Sequence, residues 1–288
     1  MNKIKAPIEI LVDIIREIKP FLSKIRNFHR SRPIIGVIYL AAVYLLIKRI
    51  PYYFFRKDHS LRIFCKKTIE NQIILKNIKE LNYWPTFYLP SYYMQTIYHE
   101  LQKPNKACFK RQYMHIKDNN SQISLDWYIS PKMTHFNKLL IVFPGLTGGS
   151  ETLYIRDICE GFDLSEGFQT VIVHNRGISD TPLMSDLPYH SAFTDDIKPI
   201  LDYLLSLYSS KKIFLLGVSM GANMLTKFLA EDHSFDSKIQ CFISVSNPFN
   251  MIEIEKKIRG GLIDYGIKNN LVNMVKKHKI FWGNDRYE

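Results

Sequence analysis

The sequence is poor in the residues that would staple or metallate it. Its four cysteines, Cys65, Cys108, Cys159 and Cys241, are scattered, with no C-x-x-C pair and no neighbouring histidines at zinc spacing. That excludes a disulfide framework and a structural zinc site, and the thiols read as reduced structural residues. There is no internal repeat and no low-complexity tract. Acidic residues are scarce at one end: residues 1–70 hold 15 Lys+Arg against 5 Asp+Glu, whereas the remainder holds 24 against 22. The formal net charge of +12 is therefore a property of the N-terminal arm. No RNA- or DNA-binding motif accompanies it, so no nucleic-acid partner is expected. What is present is a 288-residue chain, 46% hydrophobic, long enough for one sizeable core and some additional elements.

In the arm, Ile8, Leu11, Ile15, Ile18, Leu22 and Ile25 recur at intervals of three and four, with Glu9, Asp13, Arg16, Glu17, Lys24 and Arg26 between them. The spacing predicts an amphipathic helix, bent at Pro20. Pro33 to Ile47 then carry no charge and are bracketed by Arg30, Arg32, Lys48 and Arg49. About 15 residues at a rise of 1.5 Å reach roughly 22 Å, short of the ~30 Å hydrocarbon core. Spanning therefore needs the flanking cations to snorkel and Tyr52, Tyr53, Phe54 and Phe55 to sit at an interface. A cleaved signal peptide would need a small-residue cleavage site, which "LIKRIPYYFF" does not offer. A buried or interfacial helix is the other competing reading. The expectation is a membrane anchor over residues 1–57, spanning or deeply inserted. Basic residues on both flanks leave its orientation open. A lead-in segment, 58–106, is expected to pack on a domain covering 107–288.

That domain alternates short apolar runs with amphipathic stretches. "QISLDWYIS", "KLLIVFPG", "QTVIVHNRG", "KIFLLG" and "CFISVSN" read as strands, and "DDIKPILDYLLSLYSS" and "MGANMLTKFLAED" as helices. The alternation predicts an α/β fold, a parallel sheet with helices on its faces and ligand sites at the carboxyl ends of its strands. Gly217-Val218-Ser219-Met220-Gly221 lies at such an end, between strand and helix. A sharp turn there holds a serine in a strained conformation, and only glycines two residues before and after leave room for it. Ser219 is thus a candidate nucleophile, with the Met220 N–H at the helix start placed to stabilise an oxyanion.

"FPGLTGGSETLYI", "EGFQTVIVHNRGISDTPL", "LLGVSMGANMLTKFLAE" and "ISVSNPFN" together resemble consecutive blocks of the α/β-hydrolase family that includes the abhydrolase-domain 1 and 3 proteins, the plant EMB8-like proteins and the bacterial YheT-like esterases. "NYWPTFYLPSYYMQTI", "ISLDW" and "LVNMVKKHKIF" extend the likeness over about residues 70–282. The resemblance implies a mostly parallel α/β-hydrolase sheet with flanking helices, and a membrane-associated serine esterase or lipase acting on acyl esters such as glycerolipids or phospholipids. It implies no cofactor and no metal. By the same resemblance the loop after the third family strand, here Phe143-Pro144-Gly145-Leu146-Thr147-Gly148, supplies a second oxyanion donor, the Leu146 N–H. Pro144 stands where the family has histidine, so the loop is braced differently. The family's Asn-His-Arg-Gly becomes His174-Asn175-Arg176-Gly177, which makes His174 a structural residue. Asp180 follows His174 by six positions, so an acyltransferase His-x4-Asp motif is absent.

In α/β-hydrolases the nucleophile is followed by the acid and then the histidine, on loops after the last two strands. After Asn247 only 41 residues remain, and they read as helices and a short tail. Asp232, His233 and Asp236 lie at the far end of the helix that starts at the serine, about 18 Å away. Asp264 and His278 read as solvated helix residues, and Asp285 lies in the tail. The expectation is that the fold's final strands and the triad acid and base are missing. Either the chain is a truncated form of a full hydrolase, or it is a membrane-associated binding or scaffold protein that has lost catalysis.

Overall fold

The computed structural model describes residues 63–77, 92–103, 106–116, 121–131, 135–164, 167–184 and 189–278, with isolated positions between 36 and 47 and at 89. The chain divides into two compact units, Met1–Leu101 and Gln102–Glu288. In the first unit are helices α1 (Ile69–Asn77) and α2 (Tyr92–Glu100). The Thr68 hydroxyl accepts the Asn71 N–H at 3.2 Å, which ties down one of the free amides at the start of α1. The amphipathic helix and anchor expected over 1–57 lie almost wholly outside the described residues. No helix among those residues is long and apolar enough to cross a membrane.

The second unit runs β1 (Phe109–Ile116), β2 (Ser121–Tyr128), β3 (Lys138–Phe143), α3 (Leu153–Asp163), β4 (Phe168–His174), α4 (Ile197–Leu207), β5 (Lys212–Val218), α5 (Met220–Glu231), β6 (Ile239–Val245), α6 (Met251–Ile258) and α7 (Leu262–Lys277). The strands form one sheet in the order β1-β2-β4-β3-β5-β6. The sheet is mostly parallel, as the resemblance implies: β3, β4, β5 and β6 are parallel, while β2 is antiparallel to both β1 and β4. Only four residues separate β1 from β2 in the sequence, and so short a link can join only an antiparallel pair.

Both faces of the central strands are covered. Leu139, Leu140, Ile141 and Val142 of β3 are all fully buried, which is why that strand reads as a continuous apolar run with no alternation. Leu139, Ile141 and Phe143 pack with Ile213 and Leu215 against Ile197, Ile200 and Leu204 of α4 and Met224, Leu225 and Phe228 of α5. Leu140, Val142, Ile172 and Leu216 face the other way, onto Ile155 and Cys159 of α3. Burial there pushes the Cys159 thiol up to about 12, the state of an inert structural cysteine.

α4 starts at Ile197, two residues later than the acidic pair Asp195-Asp196 suggests. The Asp196 carboxylate makes no cap bond; it accepts from Arg176 Nε at 3.0 Å and Arg176 Nη2 at 2.6 Å. Arg176 is itself fully buried and lies over the Phe193 ring. At the other end of the sheet, β6 has no strand on its outer edge among the described residues. Ile243 and Val245 on that strand are exposed, as is Phe249 just beyond it.

Candidate active site

β3 and β5 end side by side, with Phe143 paired to Gly217. The turn after β5 and the loop after β3 therefore meet at the carboxyl end of the sheet. Ser219 sits at that turn with φ 52 and ψ −115, and α5 begins at the next residue. A left-handed φ at a residue with a side chain costs of the order of 1–3 kcal/mol, so the surroundings must hold it. They do so from both sides: the Ser219 N–H donates to the Val245 carbonyl of β6 at 2.9 Å, and its carbonyl accepts the Asn223 N–H at 3.1 Å. Asn247 ties the end of β6 to α5, donating to Thr226 Oγ1 at 2.9 Å and to the Ala222 carbonyl at 3.3 Å.

The glycines are required by close approach. A Cβ at Gly221 would stand 2.2 Å from the Phe143 carbonyl oxygen, and one at Gly217 would stand 2.5 Å from Ala222 Cα. One at Gly145 would come within 3.2 Å of Ser219 Cβ, a measure of how near the β3 loop lies to the serine.

Within that loop the amides are almost all engaged. The Gly145 N–H donates to the Tyr154 hydroxyl at 2.9 Å, the Thr147 N–H to the Tyr189 hydroxyl at 3.2 Å, the Gly148 N–H to the Gly145 carbonyl at 3.0 Å and the Gly149 N–H to Thr152 Oγ1 at 3.0 Å. The Leu146 N–H has no acceptor among the described residues. Met220, as the first residue of α5, belongs to the turn whose N–H groups lack intrahelical partners. Leu146 follows Gly145, whose Cβ position would lie 3.2 Å from Ser219 Cβ, and Met220 follows Ser219 itself.

A buried polar cluster fastens the same loop further on. Asp126 of β2 accepts from Arg111 Nε at 2.7 Å and Arg111 Nη2 at 2.8 Å, from His174 Nε2 at 2.8 Å and from the Ser150 hydroxyl. Burial alone would raise the Asp126 carboxyl. The bonds from Arg111, His174 and Ser150 outweigh it and hold the group well below the usual carboxylate range. His174 is fully buried, and its Nδ1 has no partner among the described residues. None of these links is local in sequence. A buried aspartate in β2 was the only available signal for Asp126, and nothing marked Tyr154 or Tyr189.

No histidine or carboxylate hydrogen-bonds Ser219 Oγ among the described residues. His233 bonds Asp236 at 3.2 Å beyond the far end of α5, and Asp232 accepts the Ser234 N–H at 2.8 Å. Asp264 accepts the Gly260 N–H at 2.8 Å, between α6 and α7. Asp285 lies outside the described residues. The reading of His278 as a solvated helix residue is corrected: the side chain is buried, and its Nε2 donates to the Gly177 carbonyl at 2.8 Å. A carbonyl only accepts, so that nitrogen carries the proton and is committed. Lys277 beside it reaches Asp180 at 2.7 Å, so the end of α7 closes over the loop that follows β4. No three His, Cys, Asp or Glu side chains among the described residues are grouped to hold a metal ion.

Residues 138–272 match the alpha/beta hydrolase fold family. An abhydrolase domain-containing protein of Dictyostelium discoideum is 28% identical over 205 residues, 68% of this chain and 52% of that protein. A monoacylglycerol lipase of Saccharomyces cerevisiae is 32% identical over 161 residues, 52% of this chain and 36% of that protein. The human phospholipase ABHD3 is 30% identical over 174 residues, 56% of this chain and 41% of that protein. The chain spans about half the length of these relatives, or less. These matches converge on the alpha/beta hydrolase fold family, and with a serine held at a left-handed turn after β5 they support an α/β-hydrolase of the abhydrolase-domain type for this chain.

Proposed function

We propose that the chain carries the nucleophile half of a lipase- or esterase-type serine hydrolase for acyl esters of lipids, held at a membrane by residues 1–57. The observation that carries the catalytic reading is Ser219, left-handed at the strand-to-helix turn and beside a loop in which the Leu146 N–H has no acceptor among the described residues. The names of the relatives, a monoacylglycerol lipase and a phospholipase, support a lipid ester as substrate.

In this reading Ser219 Oγ attacks the ester carbonyl carbon, and the π electrons move onto the carbonyl oxygen. The resulting oxyanion takes hydrogen bonds from the Leu146 and Met220 N–H groups. The carbonyl then re-forms, the C–O bond to the alcohol breaks, and an acyl-serine remains for water to hydrolyse. A base must receive the serine proton and return it to the departing alkoxide, and the described residues place none against Ser219.

The second reading, a non-catalytic membrane-associated binding or scaffold protein on the same fold, is favoured by that one observation. Hydrolysis of p-nitrophenyl butyrate by residues 1–288, Ser219→Ala and His278→Ala separates the two. The expected result is turnover about 10⁶-fold below that of an intact triad, with little further loss in Ser219→Ala because triad members act as a unit. Adding the last strands of an intact relative decides between them: turnover gained by the parent and not by Ser219→Ala supports the nucleophile, and no gain in either leaves the binding protein. Fast turnover abolished by both substitutions assigns the base to His278.

A further inference from the structure

The peptide unit that carries the Leu146 N–H also carries the Gly145 carbonyl. In a trans peptide the two point in opposite directions, so whatever holds the carbonyl aims the amide. The Gly145 carbonyl is held by the Gly148 N–H, but that bond closes only a short turn within the loop. Gly145 is also the residue least able to resist rotation. It has no Cβ, and it cannot acquire one without crowding Ser219. Close approach to the serine therefore brings with it a freedom to flip the 145–146 peptide, which would turn the donor away.

We propose that Tyr154 and Tyr189 are positioning residues that remove this freedom. Their hydroxyl oxygens accept the N–H groups of Gly145 and Thr147, the residues on either side of Leu146. With both neighbouring peptide planes pinned, the plane between them can turn only by a concerted rotation about Gly145 ψ and Leu146 φ, which breaks the bond from the Gly148 N–H to the Gly145 carbonyl. The two side chains reach the loop from separate elements. Tyr154 lies in the first turn of α3, and Tyr189 is buried in the segment that leads into α4. Burial pushes the Tyr189 phenol up to about 12, so it stays protonated and neutral as an acceptor at every working pH. This assignment rests on the reading of Ser219 as a nucleophile and of Leu146 N–H as its oxyanion donor.

The test is Tyr154→Phe, Tyr189→Phe and the double variant in the full chain, with Tyr203→Phe as control. The Tyr203 hydroxyl bonds Gln112 of β1, away from the loop amides. Two readouts are taken: amide deuterium exchange of the segment 144–149, and kcat and KM for p-nitrophenyl butyrate. The proposal expects faster exchange confined to that segment, and kcat lower by about 10-fold for each single variant and about 100-fold for the pair, with KM unchanged. The control should change neither. Unchanged loop exchange in the double variant overturns the proposal. So does faster exchange throughout β3 and β5, which would make the tyrosines general supports. Local loosening with kcat intact overturns it as well. If the parent extended with the last strands of an intact relative shows no Ser219-dependent turnover, the nucleophile reading is what has failed, and the exchange pattern by itself decides whether the tyrosines hold the loop.

Discussion

Replacing Asp126 by asparagine removes the charge that three buried or half-buried partners point at. Arg111 would keep its charge with a weaker acceptor, and breaking a buried pair in this way costs about 3–5 kcal/mol. The pH dependence follows from the direction of the shift. The Asp126 carboxyl titrates below its unfolded value of about 3.9. Its contribution is therefore complete above that value and is lost as pH falls through the folded one. Urea unfolding of the full chain should show Asp126→Asn destabilised by about 3 kcal/mol at pH 7, with the gap to the parent closing below about pH 4. A gap that stays constant down to pH 3 would mean that the carboxylate charge contributes nothing. Asp126 also marks the limit of what can be read at this scale. Ser219, Gly217 and Gly221 are visible in the sequence because an elbow is a local pattern of five residues. Asp126 meets Arg111, Ser150 and His174 through strand register and a loop's return, and no spacing rule encodes that.

Among the elements, the buried strands were plain from their apolar runs. β1 was not, because "FKRQYMHI" carries charged and amide residues at positions that an edge strand leaves half-exposed. α3 also escaped notice, hidden in a segment that reads as a continuation of the loop motif. β6 carries the most direct consequence at this scale. Its outer edge is unpaired among the described residues, and it shows Ile243 and Val245 where a covered strand would hide them. An open apolar edge is a template for adding another chain's strand. The expectation is that the protein self-associates in detergent-containing buffer and that Ile243→Lys combined with Val245→Lys shifts it toward monomer in sedimentation velocity. An unchanged distribution would place the association elsewhere.

At the scale of the whole molecule, the charge is divided unevenly. The first 70 residues hold nearly all of the net positive charge, and the rest of the chain is close to balanced. In the proposed reading such an arm, with an uncharged run of 15 residues inside it, serves an anionic bilayer surface and its interior. The full chain is expected to sediment with membranes and stay there in 1 M salt, about the strength at which the screening length falls to 3 Å. Deleting residues 1–57 should release it. Release of the intact chain by salt alone would show attachment through charge only. The strand order bears on how the molecule comes into being. β3 and β5 are neighbours although β4 and two helices lie between them in the chain, so the loop at Leu146 and the turn at Ser219 are strangers until β5 inserts beside β3. Pairings across such sequence separations form late and slowly. On the proposed reading, a chain still emerging from the ribosome has its serine without the oxyanion donor of the β3 loop, and the two meet in one step when the centre of the sheet closes.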